Sequence, residues 1–321
     1  MKPISVAEIQ AIIKDKIPEG LVVPAHDDAG HHYKYTPTGQ VFDSVTTQMA
    51  GVVDNPHLKV WSAKLAVEHF SSQVILDQTI LLDSERVEQL QEASVMVHRD
   101  TFENAGQIGT VGHSAVEKYI LRWIATNIQP KAIEEFISGE DSREWAILRS
   151  AEQFTTDYYF IPVASELLVC SVKDGHAGTL DCLGFIIIPQ KKCTTVGGYH
   201  NFWHASTTDW RKQICHRCKY KATYQLALVD WKSSNQIAKK PTYCAQVSAY
   251  GQGLKQLTGI KTDVQIIVRL DKKQAKYEVL KVSNPAECYK AFKQMQKLSK
   301  WLNSKEDHAE VAVKKEIISL T

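Results

Sequence analysis

Asp230 and Lys232 stand two residues apart at the end of the apolar run Leu226-Ala227-Leu228-Val229. A run of that length reads as a strand. Successive side chains on a strand point to opposite faces, so this carboxylate and ammonium emerge on the same face. An acid and a base held side by side at the end of a buried strand suit a metal ligand beside a lysine that activates water or stabilises negative charge. Taken alone, the tripeptide reads more simply as a surface ion pair after a strand. The case for chemistry rests on its surroundings.

Further candidates flank it. His113 and Glu117 lie four apart, on one face of an expected helix that the glycines of Gly109-Thr110-Val111-Gly112 lead into. Asp181 stands isolated among apolar residues in the strand 177–188, where a carboxylate needs a cation, a metal or a hydrogen-bond donor. The bland alternatives are a core or surface histidine and a surface-turned aspartate. Gln246 and Tyr250 share a face of the helix expected at 243–253. Between the Asp181 and Asp230 strands, residues 189–222 gather Cys193, His200, His204, Cys215 and Cys218. Cys215 and Cys218 form a C-x-x-C pair; with Cys193 and one of His200 or His204 they make a tetrahedral zinc set, the alternative being free thiols in a surface hairpin.

The elements that must hold these groups follow from pattern. Residues 4–16 read as a short amphipathic helix on Ile4, Ile9, Ile12 and Ile13, and 33–42 as a hairpin. A helix starts near Ser44, Asn55-Pro56 turns the chain, and Leu58 to Phe70 forms a helix carrying Trp61. Residues 84–105 are helical and charged, and 130–157 helical with a polar break at 138–141. Strands dominate from about 161, interrupted by the insert, with a loop at 233–236 after the Asp230 strand. Two strands joined by the turn 271–274, a lysine-studded helix at 285–302 and a loose tail close the chain.

The chain has 321 residues, 44% of them hydrophobic, enough for a substantial core. No apolar run spans a bilayer. The start, MKPISVAEIQAIIKDK, has no signal-peptide core, and Glu8 and Asp15 argue against a transit peptide. Seven scattered cysteines point to a reducing, intracellular and cytoplasmic setting. Residues 1–190 carry 14 Lys/Arg against 26 Asp/Glu, whereas 191–321 carry 24 against 10, which suggests a polyanion partner for the second part. Two solvated faces, or attraction between the halves, would give the same distribution.

In order, the candidates resemble the motifs of the PD-(D/E)XK nuclease superfamily, in its RecB-like exonuclease branch. Gly109 to His113 resembles the first motif, and Glu166 with Gly178-Thr179-Leu180-Asp181 the second. Val229-Asp230-Trp231-Lys232-Ser233-Ser234 resembles the third, and Gln246-x-x-x-Tyr250 the Q-x-x-x-Y signature. Ser44-Val45-Thr46-Thr47 with Trp61 is similar to the N-terminal segment of the mitochondrial genome maintenance exonuclease group and related phage and bacterial proteins.

The resemblance implies an α/β fold with a restriction-endonuclease-like core, a central mixed sheet flanked by helices. It implies an N-terminal helical segment (1–105) shaping a DNA channel and a nuclease core (106–321) with the insert 189–222. Asp181, Asp230, His113 and the backbone carbonyl of Trp231 would bind Mg²⁺ or Mn²⁺, and Lys232 would orient the attacking water. Gln246 and Tyr250 would hold the lysine or the nucleic-acid backbone, and Glu117 and Glu166 would support His113 or a second metal. The implied activity is that of a DNA exonuclease on single-stranded or flapped ends; an endonuclease of the same fold, or an idle nucleic-acid-binding protein, are the alternatives. One departure is plain: the family usually joins its two metal-binding strands by a short hairpin, and here the Cys/His insert separates Asp181 from Asp230.

Overall fold

The computed structural model describes residues 4–27, 30–50, 52–53, 56–76, 84–138, 141–188, 193–204, 209–233 and 241–304, with a few side chains among them, including those of Trp61 and His204, left undescribed. Asn55 of the expected turn, residues 139–140 of the polar break, 234–236 of the loop and the tail from 305 lie outside the described residues.

Helix α1 (Val6–Lys16) opens on a capping box, Ser5 and Glu8 each bonding the other's backbone N–H. Strands β1 (Val22–Asp27), β2 (Gly30–Tyr35) and β3 (Gln40–Asp43) form a small antiparallel sheet. Helices α2 (Val45–Ala50), α3 (Pro56–Leu76) and α4 (Ser84–Thr126) follow. A 3-10 turn (Ile133–Phe136) leads to α5 (Ser142–Asp157). Then come the long strands β4 (Ile161–Ser171) and β5 (His176–Ile186). The insert folds as a second small antiparallel sheet, β6 (Phe202–His204), β7 (Lys212–Cys215) and β8 (Lys221–Thr223). Strand β9 (Gln225–Lys232), α6 (Pro241–Thr258), β10 (Val264–Leu270), β11 (Tyr277–Lys281) and α7 (Pro285–Leu302) complete the chain.

The central sheet is mixed, in the order β11-β10-β9-β5-β4. Only β9 and β10 run parallel, and parallel neighbours need a crossover, which α6 supplies. Helices cover both faces. On one, Ile147, Phe154 and Tyr119 of α4 and α5 meet Val229 and Trp231; on the other, Ile9, Leu254 and Phe292 of α1, α6 and α7 meet Leu226 and Leu228. Burial on both faces explains why β9 reads as a continuous apolar run instead of an alternating one.

The glycines before His113 do not start a helix. Gly109 and Gly112 lie inside the 43-residue α4, which also runs across the 105/106 boundary. A glycine within a helix costs only about 1 kcal/mol, and close packing accounts for both positions. A Cβ on Gly112 would sit 2.4 Å from Ile147 Cδ1, and one on Gly109 would sit 3.0 Å from Ser233 Oγ. These contacts draw α4 against α5 and against the segment leaving β9. No helix among the described residues is long and apolar enough to cross a membrane.

Candidate active site and metal-ligand cluster

Strand register aligns the acidic residues. The antiparallel pair Cys182↔Val229 joins β5 to β9, so one step further Asp181 falls opposite Asp230. Between β4 and β5, Ser165↔Cys182 and Leu167↔Leu180 bracket Glu166 opposite Asp181. Three carboxylates thus occupy neighbouring positions on three adjacent strands. Glu166 has φ +49°, a left-handed conformation uncommon for a side-chain-bearing residue.

Asp230 is 1% exposed and sits 2.7 Å from the Lys232 ammonium. Neither of its oxygens makes a well-formed hydrogen bond. Burial drives its pKa up to about 6 against the pull of Lys232, and the Asp181 charge adds to the rise. Asp181 is also raised by burial, although Lys232 and the Trp231 N–H, which donates to Asp181 Oδ2 at 2.8 Å, oppose this. Lys232 is raised above its ordinary value: burial pulls it down, but Asp230 and Asp181 outweigh that. Glu166 keeps contact with solvent, yet desolvation of its carboxyl, then Asp181 and Glu117, push it up to about 8. His113 is held near 4 by burial and by the Lys232 charge, so it is neutral at pH 7 with a lone pair to offer. Glu117, one turn beyond His113 on α4, comes within electrostatic reach of Glu166.

Helix α6 closes the site from the other face. Gln246 Nε2 donates to Tyr250 Oη at 2.8 Å, both side chains being buried. Tyr250 rests on Gly178, where a Cβ would come 2.4 Å from its ring. Lys232 Nζ lies over the Tyr243 ring, 5.3 Å from its centroid, a cation–π contact. Tyr33 Oη bonds Thr179 Oγ1 at 3.0 Å, tying the N-terminal sheet to the strand that carries Asp181. The roles of Tyr33 and Tyr243 escape a reading of the sequence, and Thr179 stood there only as part of the second motif; the aromatic character of Tyr243, one turn before the Gln246 position, offered a signal.

The insert holds a second constellation. Cys193, His200, Cys215 and Cys218 present ligand atoms that all lie within 4.8 Å of one another, and together they form a group able to hold a metal ion. Cys193 Sγ and Cys215 Sγ are 3.9 Å apart, and Cys218 Sγ is 3.3 Å from His200 Nδ1. Cys193, Cys215 and His200 are buried. Burial opposes ionisation of Cys215, but the Cys218 N–H, the His200 ring and the Arg217 N–H bring it down to about 5. His200 is the histidine of the set; the side chain of His204, at the end of β6, lies outside the described residues. Among the described residues this is the one group of three or more His, Cys, Asp or Glu side chains gathered so tightly. The carboxylate set around Asp230 is more open, with the Lys232 ammonium against Asp230. No family profile matches the chain, and no curated protein matches it.

Proposed function

We propose that the chain is a Mg²⁺- or Mn²⁺-dependent deoxyribonuclease of the PD-(D/E)XK type, RecB-like branch, with a restriction-endonuclease-like core, working as an exonuclease on single-stranded or flapped ends. The observation that carries this reading is the pairing of Asp181 with Asp230 across adjacent strands, with Lys232 against Asp230 and a neutral His113 within electrostatic reach. The mixed sheet flanked by helices and the approach of α6 support it.

The residues fit a hard divalent cation. Asp230 is a buried carboxylate with Lys232 against one oxygen at 2.7 Å and no hydrogen bond on the other, and such hard oxygen donors suit a divalent cation. Asp181, His113 and the Trp231 carbonyl would complete the set. When bound, the ion supplies a Lewis acid toward phosphate and an acidified water. Lys232 keeps its proton at neutral pH and donates it in a hydrogen bond to the attacking water or a phosphate oxygen, offsetting the negative charge that develops there. Tyr243, under the ammonium, limits where Lys232 points, and the Gln246–Tyr250 pair fixes the wall behind it.

The test is a time course on 5′- and 3′-labelled single strands beside a closed circle, with Mg²⁺, Ca²⁺ or EDTA. Stepwise loss from ends that requires Mg²⁺ or Mn²⁺ is expected, with the circle intact and poor turnover in Ca²⁺. Cutting of the circle would make the protein an endonuclease, and binding without cleavage an idle relative. Asp230→Ala and Lys232→Ala should abolish cleavage, the latter while still binding DNA. Lys232→Ala activity within a few-fold of wild type would remove the assignment.

A further inference from the structure

We propose that Cys193, His200, Cys215 and Cys218 hold one zinc ion, structural in role and separate from the carboxylate site. The distances carry this. A zinc–sulfur bond of about 2.3 Å in a tetrahedron sets sulfur atoms about 3.8 Å apart, and a sulfur and a nitrogen about 3.5 Å apart. The observed Cys193–Cys215 separation is 3.9 Å and the Cys218–His200 separation 3.3 Å. A disulfide would need about 2.05 Å, and the cysteines are all free thiols. Three thiols, two of them buried and that of Cys218 partly so, and a buried imidazole gathered at this spacing form a soft donor set that favours zinc over Mg²⁺ or Ca²⁺.

Local backbone explains how a short segment brings them together. Cys193 opens one tight turn, its carbonyl accepting from Gly197 N at 2.7 Å and its N–H donating to Gly198 O at 2.9 Å, with Gly197 at φ +67°. Cys215 and Cys218 sit on a second turn, between β7 and β8. There Lys219 N donates to Cys215 O at 3.0 Å, Cys215 N donates to Tyr220 O at 2.7 Å, and Lys219 has φ +61°. His200 packs against the Phe202 and Tyr220 rings, with centroids 5.2 and 4.7 Å away. The Tyr159 hydroxyl also bonds the His200 backbone, accepting from its N–H at 2.5 Å and donating to its carbonyl at 3.0 Å. The insert's strands are only three or four residues long, and sheets that small seldom hold without a staple. A tetrahedral ion joining the two turns is such a staple, and it fixes the excursion between the Asp181 and Asp230 strands.

The test is elemental analysis of the full chain purified without added metal, paired with replacement of the ion by Co²⁺. About one equivalent of zinc is expected. The cobalt form should show thiolate-to-cobalt absorption in the near ultraviolet, with the strong visible bands of a tetrahedral site. His204→Ala should keep the zinc, whereas Cys215→Ser with Cys218→Ser should fall below a tenth of an equivalent. Should that double variant not fold, the cobalt spectrum of the wild-type chain decides the ligand type by itself. Zinc below a tenth of an equivalent in the wild type, iron in its place, zinc kept by the double variant, or a cobalt spectrum without thiolate bands would each overturn the proposal. Because the readout is metal content and coordination, it is independent of whether the chain cuts DNA.

Discussion

Lys232 is the counter-charge of a carboxylate that is almost wholly shielded from water, and this gives a test of metal binding that does not depend on turnover. Removing one member of a buried pair leaves the other uncompensated, at a cost of about 3–5 kcal/mol. Lys232→Met should therefore melt well below wild type in EDTA. If a divalent ion binds beside Asp230, it replaces the lost charge, and Mg²⁺ should raise the melting temperature of the variant more than that of wild type. Equal shifts, measured by calorimetry over the same Mg²⁺ range, would argue against an ion at Asp230. Asp230, Lys232 and Asp181 were legible in the sequence because each breaks an apolar run, and a charge in such company announces itself. The partners that frame them were not. Tyr33 reaches Thr179, and Tyr243 reaches Lys232, only through tertiary packing. The approach of His200 to Cys218 likewise rests on where the β7–β8 turn puts Cys218.

Glycine shows what element packing hides from sequence. A glycine in a helical pattern suggests a boundary, yet Gly112 marks the place where α4 touches Ile147 of α5. Gly178 does the same on β5: its missing side chain is where the Tyr250 ring lies, and a buried ring has little room to give. Gly178→Ala should cost about 1–3 kcal/mol by overpacking, read as a lower midpoint in urea, and should move the Gln246–Tyr250 pair away from the site. An unchanged midpoint would show that α6 is not seated there. The insert sheet carries a second expectation. Residues 189–223 hold seven Lys or Arg and one Asp. Lys212, Arg217, Lys219 and Lys221 are exposed, and the β7–β8 register brings Lys212 and Lys221 out on one face. Replacing these four by Ala should weaken binding to a single-stranded oligonucleotide and flatten its salt dependence by up to about 3 in log–log slope, roughly 0.7 for each phosphate no longer neutralised. Zinc content should not change. A salt slope equal to that of wild type would assign the basic residues to solvation alone.

At the scale of the molecule, the change from helices to strands near residue 161 was legible in the pattern, but the strand order was not. Pairing of β5 with β9 skips the whole insert, and no local periodicity reports a contact of that range. The fold also shifts titratable groups in opposite senses, the buried His176 and the solvent-exposed Glu166, which sets how its stability answers to pH. His176 lies 1% exposed among β5, α6 and α7, with Nε2 3.2 Å from the Ala249 carbonyl and Nδ1 without a partner. Burial is the main cause of its depressed pKa, about 4 against an ordinary value of 6.5. The unfolded chain therefore takes up a proton below pH 6.5 that the folded chain refuses until about pH 4, and stability from this group is lost as pH falls through that window. Glu166 acts the other way: its raised pKa, about 8, makes the folded form lose stability as pH rises from 4.5 toward 8. The total pH profile mixes the two, so the informative quantity is a difference. The stability advantage of wild type over His176→Gln, measured by urea unfolding, should shrink by about 2 kcal/mol between pH 7.5 and pH 5, the linkage value for one imidazole that stays neutral only when folded. His113→Gln should behave alike, since His113 is also held near 4. A difference constant with pH would mean that His176 takes up its proton inside the folded chain, and that the junction of β5, α6 and α7 is open to water.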